Sequence, residues 1–401
     1  MQKNPRPLDG IRVLELGQLL AGPFAASILG YYGAEVIKVE PPGIGDPLRS
    51  WRILDEDGTS FWWRSLGRNK KCITADLRSE EGRGLVRRLA GKCHVLVENF
   101  RPGVMEKWGL GPADIWADNP SLVYARISGY GQDGPYSAKP GFASVCEGVG
   151  GMRYVNGKPG EAPMRPNLSL GDTMAGLHTA LGVVMACLHQ ANNPGSKGQV
   201  IDTALYEAVF NLLEGVVPEY DGAGAVREPS GSTITGIVPT NTYRCTDGKF
   251  IIIGANGDSL FKRLCEKMGR PDMAADPRFA DNAGRVKHEE EIDEAIAKWT
   301  GSLDSMTALS LLEEARVPSG PIFSVADMMT NEHFIARGLF EQVDVNGKPL
   351  KIPAMVPKFS NTPGRTDWPG PEVGAFNQEI YGDMLGLSAE ELAALQSKGI
   401  L

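Results

Sequence analysis

Short β-branched runs alternate with helical patterns in the first half of the chain, and this alternation limits the fold more than any other feature. Six strands are predicted at residues 11–16, 36–39, 71–75, 95–97, 122–127 and 200–203. Helical patterns lie between them, one opened by Pro23 and ending at Tyr32, another capped by Ser79 and covering residues 80–90. Strands joined through helices pair in parallel, so we predict an α/β fold with a doubly wound sheet.

The pattern changes after residue 220. Residues 221–236 are rich in glycine, proline and serine and predict a linker. A hairpin at 242–245 and 250–253 follows, then helices at 259–268, 288–299 and 306–314. A second hairpin, 340–345 with 350–352, turns at Asn346-Gly347, and a helix is predicted at 389–398. We expect a smaller α+β domain in this part of the chain.

Composition excludes several classes of protein. A length of 401 residues suggests two domains, and a net charge of −8 argues against a general nucleic-acid binder. No apolar run has transmembrane length and residues 1–7 lack the core of a signal peptide, so we expect no membrane association. Six scattered cysteines without a C-x-x-C pair suggest free thiols in the cytoplasm. Five histidines without paired spacing predict no metal site.

Nucleotide-binding motifs are not supported. Residues 129–134 fit G-x-G-x-x-G after a strand, but Pro135 follows instead of a helix, so a glycine-rich turn is the better interpretation. The chain has neither a G-x-x-x-x-G-K-[ST] loop nor a G-x-S-x-G elbow.

Two loops allow either a structural or a functional interpretation. Asn99 begins a loop after the fourth strand, where Arg101 and Lys107 are placed to meet phosphates and Phe100 to stack on a base. A capped loop with solvated charges explains the same residues. The loop Gly254, Ala255, Asn256 and Gly257 follows another strand. A turn in which Asp258 caps a helix is favoured there over a flexible loop covering an active site.

Asp172 precedes a long helical stretch that ends near Gln190. A helix N-cap is the commonest role for an aspartate at such a place. The same placement suits a nucleophile, because the positive end of the helix dipole keeps the carboxylate ionised. The residues alone favour the N-cap.

The chain resembles the class III CoA-transferases, the family of formyl-CoA transferase and the CaiB/BaiF proteins, over nearly its full length. The segments that carry the resemblance are DGIRVLE (9–15), AGP (21–23), GAEVIKVEPP (33–42), NKK (69–71), ENFRPG (98–103), SGYG (128–131), GD (171–172) and GQVID (198–202).

This resemblance implies an interlocked, ring-like homodimer with a Rossmann-like large domain built from both chain ends, at 1–221 and 331–401, and a small domain at 222–330. It places the nucleophile at Asp172 and a glycine-rich lid at Gly254 to Gly257. Coenzyme A is implied as a co-substrate, with no tightly bound cofactor. The implied CoA contacts are Leu19, Leu20, Ala21, Ala75, Arg78, Asn99, Phe100, Lys107 and Lys139. Arg101, from the loop after the fourth strand, is added to them as a phosphate contact.

Three positions depart from relatives within this family. Formyl-CoA transferase has a glutamine at the place of Leu20 and an arginine at the place of Pro41, which weakens a formyl or oxalate assignment. The α-methylacyl-CoA racemases, our alternative, carry a histidine where this chain has Phe142. Phenylalanine cannot exchange a proton, so a two-base α-proton exchange lacks one base.

The favoured function is therefore transfer of CoA from a short acyl-CoA, succinyl-CoA, to a C4–C6 dicarboxylic acid through an aspartyl anhydride and an aspartyl-CoA thioester. Residues 164–167 resemble the dicarboxylate members of the family. Arg165 is placed to bind a distal carboxylate, although a structural role for this arginine is equally well supported.

Overall fold

The computed structural model describes residues 5–401. They form two compact units, one of residues 5–152, 166–214 and 335–401, the other of residues 153–165 and 215–334. These divisions lie four to seven residues from the expected boundaries at 221 and 330, and segment 153–165 joins the second unit. It does so because it bonds to that unit: Gly231 N–H donates to Gly157 O (2.8 Å) and Tyr154 Oη donates to Glu228 (2.9 Å).

Residues 5–401 contain eleven strands. They are β1 (Arg12–Glu15), β2 (Glu35–Glu40), β3 (Lys70–Thr74), β4 (Val95–Glu98), β5 (Val123–Ser128), β6 (Val200–Ala204), β7 (Thr240–Arg244), β8 (Phe250–Gly254), β9 (Ser319–Pro321), β10 (Phe340–Val345) and β11 (Lys348–Pro353).

The helices are α1 (Ala21–Tyr31), α2 (Phe61–Leu66), α3 (Glu80–Ala90), α4 (Val104–Lys107), α5 (Pro112–Asp118), α6 (Ala143–Val149), α7 (Met152–Val155), α8 (Leu170–Asn192), α9 (Leu205–Phe210), α10 (Val216–Ala223), α11 (Asp258–Lys267), α12 (Pro271–Ala275), α13 (Asn282–Val286), α14 (Glu289–Thr300), α15 (Ser305–Glu314), α16 (Val325–Thr330), α17 (Glu332–Ala336) and α18 (Ala389–Ser397). Short 3₁₀ turns at Pro47–Ser50 and Pro277–Phe279 and a π-helical segment at Gln378–Met384 complete them.

A six-stranded parallel sheet forms the first unit, with the order β3-β2-β1-β4-β5-β6. Its registers place Val13 opposite both Val36 and Val95. The parallel α/β fold predicted from the alternation is confirmed. Chain order reverses between β1 and β4, and in open sheets of this type ligands bind beyond the carboxyl ends of the strands at that reversal.

Helices cover both faces of this sheet, which explains why its central strands are apolar almost throughout. One face packs in a cluster that includes Leu14, Ile37 and Leu96 with α3. The other face packs α1 and α8 against residues such as Val13 and Val97. Of the described helices, only α8 is long and apolar enough to cross a membrane by length and composition. Core helices pass the same test, and α8 buries Ala180, Val183 and Ala186 in this cluster.

Residues after 360 close the edge of the sheet at β3. Trp368 Nε1 donates to Lys70 O (3.1 Å), Phe376 N–H to Cys72 O (3.0 Å) and Tyr381 Oη to Thr74 O (2.8 Å). Thr74 N–H donates to the Asn377 side chain (2.9 Å). These four backbone groups of an edge strand thus have hydrogen-bond partners within the chain.

The second unit contains a three-stranded antiparallel sheet, β7-β8-β9, with helices α11 to α15. The predicted hairpin is confirmed as β7 and β8, whereas β9 was not predicted. Its three residues, Ser-Gly-Pro, carry no β-branched side chain, so no local signal marks them. The predicted linker at 221–236 begins inside α10 instead.

Candidate active site

The loops after β1 and β4 meet at the reversal of the sheet. Asn99, directly after β4, accepts a hydrogen bond from Gln18 N–H (2.8 Å) and donates one to Gln18 O (2.8 Å). Leu19, the next residue, has a positive φ of 63°, which is uncommon for a residue other than glycine. The predicted CoA contacts Leu19, Leu20, Ala21 and Asn99 therefore lie together at the place where open α/β sheets bind ligands.

Asp172 lies in the first turn of α8. The N-cap role considered for it is wrong, because Ser169 occupies the cap position and makes no side-chain capping bond. As the third residue of the helix, the Asp172 carboxylate lies close to the positive end of the helix dipole, which favours its charged form.

Close packing of α8 on α1 places Asp172 near the β1 loop. A methyl group on Gly176 would lie 2.7 Å from Ala21 O and 3.1 Å from the Phe24 ring, so only glycine allows this approach. Gly176 is one turn from Asp172, about 6 Å along the helix axis. The structure thus brings Asp172 and the start of α1 to one region of the first unit.

Helix α6 packs against the start of α8. Glu147, 1% exposed, accepts a hydrogen bond from Gly171 N–H (3.2 Å), next to Asp172 in the chain. A methyl group on Gly171 would lie 3.2 Å from Ala143 Cβ, so this contact is tight. Glu147 was not predicted, and a single glutamate in a helical pattern gives no signal for such a role.

Cys146 precedes Glu147 in α6, and the charges of Asp172 and Glu147 both act on its thiol. Burial raises the pKa of its thiol to about 11, and the charges of Asp172 and Glu147 contribute in the same direction. Its Sγ donates to Gly129 O (3.3 Å). The thiol is therefore protonated at neutral pH and is a poor nucleophile.

The other predicted CoA contacts occupy different environments within the first unit. Ala75 is buried directly after β3, whereas Arg101 and Lys107 are exposed. Phe100 is half-buried against the core and packs edge to face with Trp108, with ring centres 5.1 Å apart. Two cations are held by neighbours: Arg78 pairs with Asp76 (2.8 Å), and Lys139 Nζ lies 3.3 Å from the Tyr136 ring centre.

The predicted substrate and lid residues belong to the second unit. Arg165 is exposed. In the lid, Gly254 N–H donates to Pro318 O and Ala255 N–H to Pro239 O, both 2.9 Å, so these two amides already have backbone acceptors. Asp258 is the first residue of α11, and Gly257, not Asp258, is its N-cap.

A buried arginine holds the end of this predicted lid. Arg285 donates to Asn256 O (2.6 Å) and to the Asp258 carboxylate (2.9 Å). Among residues 5–401, no group of three or more histidine, cysteine or acidic side chains is arranged to bind a metal ion.

Comparison with known proteins identifies the family. The model of CoA-transferase family III matches residues 8–377. A succinyl-CoA–D-citramalate CoA-transferase of Chloroflexus aurantiacus is 46% identical and covers 100% of this chain and 99% of the relative. A succinyl-CoA–L-malate CoA-transferase alpha subunit of the same species is 40% identical and covers 98% of this chain and 92% of the relative.

Solved structures agree with this result. The crystal structure of a CaiB/BaiF family protein from Brucella suis matches with a TM-score of 0.83 at 34% identity. The match covers 95% of this chain and 100% of the other. The family predicted from the sequence is confirmed, and the chain is a CoA-transferase that belongs to CoA-transferase family III.

Proposed function

We propose that this CoA-transferase moves CoA from succinyl-CoA to a C4–C6 dicarboxylic acid, with Asp172 as the nucleophile. Support for the donor comes from the two Chloroflexus relatives, both named for succinyl-CoA. Their other substrates, citramalate and malate, are short dicarboxylic acids that carry a hydroxyl group, and acids of this type are the first acceptors to test.

The observation that carries the proposal is the position of Asp172. Its carboxylate lies in the first turn of α8, which packs through Gly176 on the backbone at the start of α1. The neighbouring thiol of Cys146 has a raised pKa and does not compete as a nucleophile. A charged carboxylate beside the ligand-binding end of a parallel sheet suits nucleophilic attack on a thioester.

In the proposed reaction, an Asp172 carboxylate oxygen attacks the thioester carbonyl of succinyl-CoA and the C–S bond breaks. This gives an aspartyl-succinyl anhydride and CoA thiolate. The thiolate attacks the Asp172 carbonyl carbon and releases succinate, which leaves an aspartyl-CoA thioester. The acceptor carboxylate attacks this thioester, and the thiolate then attacks the acceptor carbonyl of the second anhydride. Asp172 is regenerated and no net proton is transferred.

The remaining site assignments belong to the same proposal. The unit with the parallel sheet binds CoA, through the loop after β1, Ala75, Arg78, the loop from Asn99 to Arg101, Lys107 and Lys139. Arg165 binds the distal carboxylate of the acid, because a guanidinium group can hold a carboxylate through two hydrogen bonds. In the lid, the amides of Asn256 and Gly257 are the candidates for oxyanion stabilisation, since those of Gly254 and Ala255 already donate to backbone carbonyls.

We further propose that the chain forms an interlocked homodimer in the cytoplasm. The dimer follows from the family resemblance. The compartment is supported by the six cysteines, which are all unpaired thiols, as is usual for proteins of reducing compartments.

An acceptor screen tests the substrates. The purified protein is incubated with succinyl-CoA and each of a panel of acids, including citramalate, malate, mesaconate and glutarate, and new CoA thioesters are identified by mass spectrometry. We expect transfer to at least one C4–C6 dicarboxylic acid and weaker transfer to monocarboxylic acids of equal length. Efficient transfer to monocarboxylic acids alone would contradict the dicarboxylate assignment.

A second experiment tests the covalent mechanism. With succinyl-CoA and no acceptor, Asp172 should become loaded with CoA, because the thiolate readily opens the first anhydride. Hydroxylamine should then give a hydroxamate at Asp172, and borohydride an alcohol, both located by peptide mapping. Deuterium exchange at the α-carbon of a 2-methylacyl-CoA without modification of Asp172 would instead indicate the racemase reaction.

A further inference from the structure

Four charged side chains are buried together beneath the loop that follows β1. The side chains of Glu15, Lys38, Asp46 and Lys70 are all 0% exposed. Lys38 Nζ lies 2.8 Å from Glu15 Oε1 and 2.8 Å from Asp46 Oδ2, and Lys70 Nζ lies 2.8 Å from Glu15 Oε2. Two cations and two anions balance, so this buried cluster carries no net charge.

The buried cluster holds the backbone of the loop. Lys38 Nζ donates to Gly17 O (2.8 Å), and Leu19 N–H donates to the Asp46 carboxylate (3.1 Å to Oδ1, 3.2 Å to Oδ2). Gln18, between them, is fixed by Asn99. Three consecutive residues are thus each held by a side chain from outside the loop.

The conformation that these bonds hold is strained. Leu19 has a φ of 63°, in the left-handed region that a β-carbon disfavours. Such residues persist where the surroundings determine their conformation, and they occur preferentially at ligand-binding sites. The Asp46 carboxylate accepts the amide hydrogen of Leu19 itself, so the hydrogen bond acts at the strained residue.

Stability alone does not account for the buried cluster. Moving charges out of water is costly, and apolar side chains of similar size often stabilise a core as well or better. The first unit already contains large apolar clusters on both faces of its sheet. Lys38 and Asp46 form hydrogen bonds with the carbonyl of Gly17 and the amide of Leu19, which apolar side chains cannot do.

We propose that Lys38 and Asp46 are positioning residues that hold the loop Gly17–Leu20 in its ligand-binding conformation and thereby set the affinity for the CoA part of the donor. They do not touch the reacting atoms. This inference rests on the proposed function, because it takes CoA as the ligand of the loop.

The test uses a double variant that removes the hydrogen bond to Leu19 while the remaining buried charges stay balanced, together with one control variant. Lys38→Met/Asp46→Leu removes one cation and one anion, which leaves the remaining charges balanced, but it removes the acceptor for Leu19 N–H. Leu89→Ala, which creates a cavity in the same unit at the far end of α3, is the control for stability alone.

Steady-state kinetics and hydrogen exchange of the peptide that contains Leu19 are measured for each folded variant. We expect the double variant to raise KM for succinyl-CoA at least tenfold, with kcat at saturating donor changed less than threefold, and to lose protection of the Leu19 amide. Leu89→Ala should keep KM within threefold of wild type despite a lower melting temperature.

A KM that follows the melting temperature across the variants, or a double variant with KM within twofold of wild type, overturns the positioning role. If the double variant does not fold, Asp46→Ala is measured instead. A raised KM for succinyl-CoA would again support the positioning role, and an unchanged KM would overturn it. Calorimetric titration with CoA distinguishes failure of the proposed function from failure of the positioning role. No CoA binding by the wild type would reject the proposed function, whereas CoA binding that is unchanged in the double variant would reject only the positioning role.

Discussion

The position of Asp172 in the first turn of α8 stabilises the helix and also suits a nucleophile. Substitution of Asp172 separates its contribution to stability from its contribution to the rate of CoA transfer. We predict that Asp172→Ala lowers CoA transfer by at least about a thousandfold, as loss of a covalent nucleophile does in other enzymes. Removing a negative charge from the first turn of α8 should cost only about 0.3–1 kcal/mol of stability. Transfer assays and thermal unfolding of the purified variant measure both effects.

Asp272→Ala is the matched control, because Asp272 is likewise an acidic residue in the first turn of a helix, α12 in the second unit. It should lose a similar small stability and keep its activity. Activity of Asp172→Ala above a few per cent of wild type would rule out the covalent mechanism.

The charge of Asp46 should make stability depend on pH. Burial alone would raise the pKa of this carboxyl, but the Lys38 ammonium and the amides of Leu48 and Leu19 outweigh it, so the pKa lies below its ordinary value. A carboxyl whose pKa is lower in the folded state stabilises the fold above its unfolded pKa of about 3.9. That contribution is lost as the pH falls through the folded pKa.

We therefore expect the wild type to lose more unfolding free energy between pH 6 and pH 3 than Lys38→Met/Asp46→Leu does. Urea unfolding at both pH values measures the difference. Equal losses in the two proteins would show that Asp46 is not protonated differently on unfolding.

At the residue scale, the function of a residue can be predicted from the sequence when the residue lies within a recognisable local motif. The GD pair before a long helix, together with the family motifs, is what leads to Asp172 as the proposed nucleophile. Lys38 and Asp46 were not identified, because their contacts join β1, β2 and the turn after β2, and such pairings appear only in three dimensions. The contact of Glu147 with Gly171 could not be predicted for the same reason.

At the element scale, the contact between α1 and α8 is set by Gly176. We predict that Gly176→Ala destabilises the protein by about 1–3 kcal/mol, because its β-carbon would lie 2.7 Å from the rigid backbone oxygen of Ala21. The displaced start of α1 should also raise KM for succinyl-CoA. Unfolding curves and kinetics of the variant measure these effects.

Gly84→Ala in α3 is the matched control. A β-carbon there would meet nothing within 4 Å, so the better helix propensity of alanine should add up to about 1 kcal/mol of stability. If Gly176→Ala proves as stable as Gly84→Ala, then α1 and α8 can move apart without loss of stability.

Helices and strands could be predicted where capping residues or the spacing of apolar residues mark them in the sequence. Helix α3 agrees with the prediction at both ends, because Ser79 caps it through Gly82 N–H (2.9 Å) and apolar residues recur along it. The predicted strands β1 to β6 are present with ends shifted by at most one residue. Strand β9 was missed, since glycine, serine and proline favour turns and only tertiary pairing overrides them. The first three residues of the supposed linker, 221–223, belong to the end of α10.

For the whole molecule, the proposed homodimer requires a large apolar surface. Helix α8 exposes Leu177, Leu181, Val184 and Leu188, which recur at helical spacing on one face. We expect sedimentation at micromolar concentration to show a dimer, and Leu181→Glu to weaken it because a charge would be buried at the contact. A wild-type monomer under these conditions would contradict the interlocked assembly, and an unaffected Leu181→Glu dimer would exclude this face.

The closure of β3 by residues 368–381 also has a consequence for synthesis. These residues follow the whole second unit in the chain, so a growing polypeptide completes residues 215–334 before anything can cover the β3 edge. Until then the nascent sheet exposes the carbonyls of Lys70, Cys72 and Thr74 and can pair with other chains. Ribosome-bound intermediates of this protein should therefore depend on chaperones more than the finished chain does.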